Sequence, residues 1–307
     1  MPGEVHTMPF DVSYVKNSCD VPQALIDRIN ERKCILFLGA GASLGSCDKN
    51  GESLPAWWQM VEELLNLLHR VAPQRSEITD EMNDLMEHGE LLALSEWLDF
   101  ALPKHNFAEY LRNRLATADG STVHEILSKK PFAGVITTNY DNLAERYWAK
   151  YGWQPFVVTP HVNPTDMGQA LDCLTNPVGK LIPIIKPHGT WEQPDSIVFG
   201  PLAYRQIMFN NEPFRNFMKR ILSEFTILFV GLSFKDPNLQ SLLQWVRTVT
   251  NGKTPLHYAT MENRGEIFKR YFKEHFGIRL LTYPVYKRRD HSECNEIYNK
   301  LPTVTIA

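Results

Sequence analysis

Four short motifs in this chain carry residue types able to do chemistry. They are Gly39-Ala40-Gly41-Ala42-Ser43, Thr137-Thr138-Asn139-Tyr140-Asp141, Lys186-Pro187-His188-Gly189 and Gly231-Leu232-Ser233. Glycines let a backbone approach a pyrophosphate closely, and amide N–H groups in such a turn hydrogen-bond its oxygens. An Asn amide facing a cleft can hold a ribose hydroxyl or a water. Histidine is the side chain whose ordinary titration lies nearest neutrality, so His188 could take a proton from either. Gly231 and Ser233 offer a second turn and a hydroxyl suited to phosphate or ribose. Asp141 could equally cap the helix that follows it.

Each motif follows a short apolar run: Ile35–Leu38, Gly134–Ile136, Leu181–Ile185 and Ile227–Val230. In an open parallel sheet, ligands bind beyond the strand ends, where the strand order reverses. Four such ends point to one shared cleft. The elements that must build it alternate. Helical spacing covers Val21–Glu31, Ala56–Arg70, Glu81–Ala101, Phe107–Leu115, Asp141–Lys150, Pro237–Val249, Arg264–His275 and Asn295–Leu301, with one or two helices over Leu202–Leu222, broken near Asn210 and Asn211. Further strands are expected at Cys34–Leu38, Pro155–Thr159, Ile197–Phe199, Leu256–Ala259 and Arg279–Tyr283, and a loop over Asn163–Pro177. This pattern predicts an α/β, Rossmann-like fold with a mostly parallel sheet and helices on both faces. Residues 1–20 read as an N-terminal arm and 21–301 as one domain, with a long helical insertion over 56–130.

Composition narrows the function. At 307 residues, 43% hydrophobic and 22% charged, the chain matches an ordinary globular protein. Its net charge of −3 supplies no general field for nucleic acid, so no direct nucleic-acid binding is expected. The one dense basic cluster, Lys287-Arg288-Arg289, reads as a solvated turn. No run approaches the ~20 apolar residues of a membrane helix, and Glu4 and Asp11 interrupt any signal core, so a cytoplasmic location is expected. Five scattered cysteines without a CxxC pair argue against a disulfide framework and a structural zinc site. The glycine turn lacks the third glycine of the dinucleotide fingerprint, which disfavours an ordinary dehydrogenase. No carboxylate cluster supports metal-dependent nuclease chemistry.

Taken in order and spacing, GAGAS, TTNYD, KPHG and GLS resemble the sirtuins, over roughly residues 25–285. The chain is particularly similar to the sirtuin-like NAD hydrolases of prokaryotic anti-phage defence. That resemblance implies NAD as substrate, no metal, and Asn139 and His188 as the catalytic pair. It implies that Gly39, Ala40, Gly41 and Ser43 bind the NAD diphosphate, with Thr138 and Asp141 near the nicotinamide and its ribose. Gly231 and Ser233 would lie on the adenosine side, and Glu262 near the adenine ribose. It also implies gating, by homo-oligomerisation or by a separate sensor such as a helicase-translocase, an Argonaute or a nucleotide pyrophosphatase homologue.

Two departures matter. Protein-deacylating sirtuins carry two CxxC pairs that hold zinc beside the peptide groove, and this chain has neither. Leu54-Pro55-Ala56-Trp57-Trp58 replaces the acidic-aromatic-basic triplet that usually follows the first glycine turn. Both argue against binding of an acyl-lysine peptide while leaving NAD binding intact; NAD-dependent protein deacylation or ADP-ribosyl transfer is the alternative enzyme reading. A further alternative, a non-catalytic module that binds NAD or ADP-ribose, leaves the Asn139–His188 pair without a purpose.

Overall fold

The computed structural model describes residues 20–73, 76–177, 179–232, 234, 237–287 and 290–304. The expected arm lies outside these residues apart from Asp20, as do Ser233, Arg288 and Arg289.

Seven strands form one wholly parallel sheet: β1 (Cys34–Leu38), β2 (Gly134–Thr137), β3 (Gln154–Val158), β4 (Leu181–Ile185), β5 (Thr226–Val230), β6 (His257–Glu262) and β7 (Ile278–Tyr283). Their order is β3-β4-β2-β1-β5-β6-β7. The central strands read CILFL, GVIT, LIPII and TILFV, continuous apolar runs because both faces are covered. Side chains alternate across the pleat. Leu36, Leu38, Leu228 and Val230 enter one core cluster, and Ile35, Phe37, Ile227 and Phe229 the other.

The first face packs under α1 (Gln23–Asn30), five helices of the expected insertion, α7 (Leu143–Lys150) and α13 (Cys294–Asn299). The insertion helices are α2 (Trp57–Val71), α3 (Ser76–Glu87), α4 (Leu91–Ala101), α5 (Lys104–Leu115) and α6 (Thr122–Leu127). Met60, Val61, Leu64, Leu65 and Leu68 form the buried stripe of α2 at helical spacing. Arg114 of α5 binds Asp48 at 2.8 Å, Glu52 at 3.1 Å and Glu63 at 2.9 Å, tying the loop after β1 to α2. The second face carries α8 (Pro164–Thr175), α10 (Glu212–Glu224), α11 (Pro237–Val249) and α12 (Glu266–Phe276), with short α9 (Pro201–Arg205) leading into a π-turn, Gln206–Asn210.

Three expectations need correction. The stretch Asn163–Pro177 is the helix α8, not a loop. Asn163 caps it by accepting from the Thr165 amide at 2.9 Å, Pro164 sits at its first position, and Met167, Ala170 and Leu174 bury its inner face. The turn formers that suggested a loop are its cap and solvent face. Ile197–Phe199 is extended without a ladder, because the Val198 amide donates to the His188 carbonyl at 2.9 Å. The helix expected over Glu81–Ala101 is two helices, parted at Gly89, whose φ of 74° lies in the left-handed region.

His257, at the start of β6, is buried and accepts the Ile227 amide on Nδ1 at 3.2 Å. Burial, aided by Arg247, pushes its imidazolium down to about 4. The unfolded chain, with a histidine near 6.5, binds the proton first, so folding stability falls as pH drops from about 6.5 towards 4. Denaturant titrations at pH 7 and 4.5 should show a loss of roughly 2–3 kcal/mol from this residue. The variant His257→Asn, which keeps an acceptor without titrating, should remove this residue's share of that slope, leaving the share of buried His124. An unchanged slope in this variant would exclude the assignment.

Candidate active site

All four motifs sit at the C-terminal ends of adjacent strands, after β4, β2, β1 and β5 in sheet order. The chain leaves β1 towards β2 on one side and β5 towards β6 on the other. The crevice of an open α/β sheet therefore opens between the β1 and β5 ends. The glycine turn (a short 3-10 turn, Ala40–Ser43) and the Gly231 turn meet there, backbone on backbone. The Gly39 amide donates to Val230 O at 2.9 Å, and the Gly41 amide donates to Gly231 O at 2.8 Å. A Cβ on Gly41 would lie 2.8 Å from Gly231 Cα, and one on Gly231 would fall on the Ala42 nitrogen. These glycines make the two turns fit each other, and the exposed rim they leave is Ala40, with Gly41 half-buried beside it.

Gly231 also has φ 68°. Gly231→Ala should therefore destabilise the fold by about 2–4 kcal/mol, combining left-handed strain with overpacking against unyielding backbone. Chemical denaturation measures this, and a loss below about 1 kcal/mol would contradict the packing described.

Asn139, at the end of β2, turns inward over the glycine turn. Its Nδ2 donates to Gly39 O at 3.1 Å and to Ser43 Oγ at 3.0 Å, and its own amide donates to Thr137 Oγ1 at 3.1 Å. Ser43 Oγ donates to Asp141 Oδ2 at 3.0 Å, while Asp141 Oδ1 accepts the Leu143 amide at 3.1 Å at the start of α7. The carboxylate thus caps a helix and anchors the glycine turn at once. Thr138, half-buried, donates its amide to Leu38 O at 3.2 Å.

His188 lies beyond β4, half-buried, its ring edge-on to Tyr204 of α9 with centroids 5.7 Å apart. The next residue, Gly189, has φ 83°, and any Cβ there would collide with the Ser196 carbonyl. The His188 loop and the Asn139 loop are joined twice. The Trp191 amide donates to Tyr140 O at 3.1 Å, and Lys186 Nζ donates to Asp141 O. Lys186 is wholly buried and also pairs with Glu145 at 2.9 Å. Burial pushes the Glu145 carboxyl up, and Lys186 opposes that shift.

Glu262 ends β6 on the same side of the sheet, one strand beyond β5, where it pairs with Arg264. No contact joins it to the glycine turn among the described residues. Ser233 lies outside them. Reading the sequence missed the supports: Lys186 with Glu145, and Ser121 and His124 from the insertion. The one visible signal was a lysine directly continuing the apolar run of β4. Among the described residues no cluster of three or more His, Cys, Asp or Glu is placed to hold a metal ion. No helix among them is long and apolar enough to cross a membrane.

A parallel sheet with paired glycine turns at its switch point, and Asn and His on neighbouring strand ends, is a Rossmann-like α/β fold with a candidate cleft at its strand ends. Residues 133–281, just under half of the chain, match the SIR2-like domain. The chain is 26% identical over 232 residues to the NAD(+) hydrolase ThsA of Cytobacillus dafuensis, covering 75% of this chain and 41% of that protein. It is 27% identical over 244 residues to the NAD(+) hydrolase ThsA of Acinetobacter baumannii, covering 76% and 44%. Defense-associated sirtuin 2 of Bacillus subtilis is 26% identical over 220 residues, covering 70% and 19%. The chain thus spans less than half the length of these relatives.

Proposed function

We propose that this chain is an NAD glycohydrolase that cleaves NAD to nicotinamide and ADP-ribose, and that it is the effector of an anti-phage system. The observation that carries this reading is Asn139 anchored on the glycine turn, with His188 on the neighbouring strand end and its loop tied to the Asn139 loop. The names of the similar proteins support it.

In this reading the diphosphate lies along the exposed rim of the Gly39–Ser43 turn, and the nicotinamide ribose near Thr138 and Asp141. Asn139 orients the ribose or the attacking water. The bond between C1′ and the nicotinamide nitrogen breaks, and its electron pair neutralises the pyridinium. Water oxygen bonds to C1′, and His188 accepts the proton that water loses. Binding energy from the diphosphate and adenosine is available to distort the ribose towards its cationic transition state. No step needs a metal.

Unrestrained loss of NAD would kill the host, so we place the activity under control by self-assembly or by a separate sensor. The test is incubation of the purified chain with NAD, following nicotinamide and ADP-ribose by chromatography, with and without the product of the neighbouring gene. Equimolar nicotinamide and ADP-ribose are expected. Nicotinamide released only with an acylated protein, leaving its acyl group on ADP-ribose, would replace this reading with deacylation.

A further inference from the structure

His124 is a fully buried, titratable side chain that the proposed reaction does not use, and it stands on the insertion rather than on the sheet. It is 1% exposed, in the first turn of α6, beside Ser121 at 1%. Ser121 Oγ donates to Ala42 O, the carbonyl inside the glycine turn, at 3.0 Å. The same oxygen accepts the His124 backbone amide at 3.2 Å and lies 2.6 Å from His124 Nδ1.

A hydroxyl has one proton to give. With that proton directed to Ala42 O, the short contact with the ring assigns a proton to Nδ1, which donates to Oγ. This assignment gives the Nδ1–H tautomer, with Tyr147 packed 5.9 Å from the ring. Burial drives its imidazolium form down to about 4 against the opposing pulls of Asp141 and the Ala42 carbonyl, so the ring is neutral near pH 7. A leucine would fill this place without desolvating two nitrogens. A histidine that completes the bonding of a capping serine has a more specific task.

We propose that Ser121 and His124 are a positioning pair through which the helical insertion holds the nucleotide-binding turn in shape. The chain of contacts runs from the His124 ring to Ser121 Oγ, to Ala42 O, and through Ser43 to Asn139 and Asp141. His124 sets the hydroxyl's direction, the hydroxyl fixes the Ala42 peptide, and that peptide sets the turn on which Asn139 rests. The pair rests on the reading of this cleft as the NAD site. It extends that reading by making the insertion part of the site.

The test compares the full-length parent with Ser121→Ala, His124→Leu and His124→Asn, measuring ADP-ribose affinity by calorimetry and the melting midpoint of each. Ser121→Ala and His124→Leu should weaken ADP-ribose about tenfold, the scale of one or two net hydrogen bonds. His124→Asn offers an amide N–H to Oγ and should stay within about threefold of the parent. Imidazole 15N spectra of the parent should show Nδ1 protonated and the ring unchanged from pH 5.5 to 8. Melting points that fall while ADP-ribose affinity stays level across the series would overturn the proposal and leave the NAD reading standing. So would an Nε2-protonated tautomer. A parent that binds no ADP-ribose would overturn the nucleotide reading and the positioning pair with it.

Discussion

His188→Ala should abolish NAD consumption while the protein folds and binds ADP-ribose as the parent does. The imidazole is half-buried and packs edge-on against Tyr204, so its loss leaves a modest gap at the surface of the cleft. The expected rate loss is about 10²–10⁴-fold, the range typical of general acid–base groups, with stability within about 1 kcal/mol of the parent. Asn139→Ala should behave differently. It takes a donor from Gly39 O and from Ser43 Oγ, so activity should fall together with stability, by about 1–3 kcal/mol. Steady-state assays beside denaturant titrations separate the two patterns. An active His188→Ala protein would remove histidine from the mechanism. An inactive but fully stable Asn139→Ala protein would mean that its bonds to the glycine turn contribute nothing to folding.

The second large effect concerns stability. Lys186→Met removes a fully buried cation that donates to Asp141 O and pairs with Glu145 at 2.9 Å. The carboxylate left behind is itself largely buried. Breaking a buried pair from one side costs about 3–5 kcal/mol, since the remaining charge has no counterpart. In a protein of this size that lowers the melting midpoint by roughly 5–8 °C. The double variant Lys186→Met/Glu145→Gln should recover part of the loss. Burial already favours the protonated Glu145 carboxyl, and without Lys186 that preference grows. Protonation removes the stranded charge, so the deficit of the single variant should shrink as pH falls. A deficit that is equal at pH 5 and pH 8, or a double variant no better than the single, would show that the charge is not what matters.

How far the fold could be read from sequence depended on whether the signal was local. The central strands announced themselves as unbroken apolar runs, and the stripe of α2 by its spacing. Strand order did not, because pairing β1 with both β2 and β5 is decided by crossovers rather than by residues in the strands. The helix α8 was hidden by the Asn-Pro start that caps it. Ile197–Phe199 has strand-like composition but spends its amide on the His188 carbonyl.

The candidate site divides in the same way. Asn139 and His188 stood out because polar residues ending buried strands are unusual. The glycines were read as phosphate contacts, whereas in the structure Gly41 and Gly231 are required first by each other. The supporting roles of Lys186, Ser121 and His124 became visible only with their partners, since nothing in a lone buried lysine or histidine names the group it will bond.

The pairing of β1 with β5, which sets Leu38 beside Val230, also bears on synthesis. The glycine turn leaves the ribosome early, while Gly231, whose backbone packs against it, emerges late. A chain still being made, or one cut anywhere before β5, therefore holds Asn139 and His188 without the floor they stand on. In the NAD-hydrolase reading proposed above, the cleft is therefore complete only once β5 has joined the sheet.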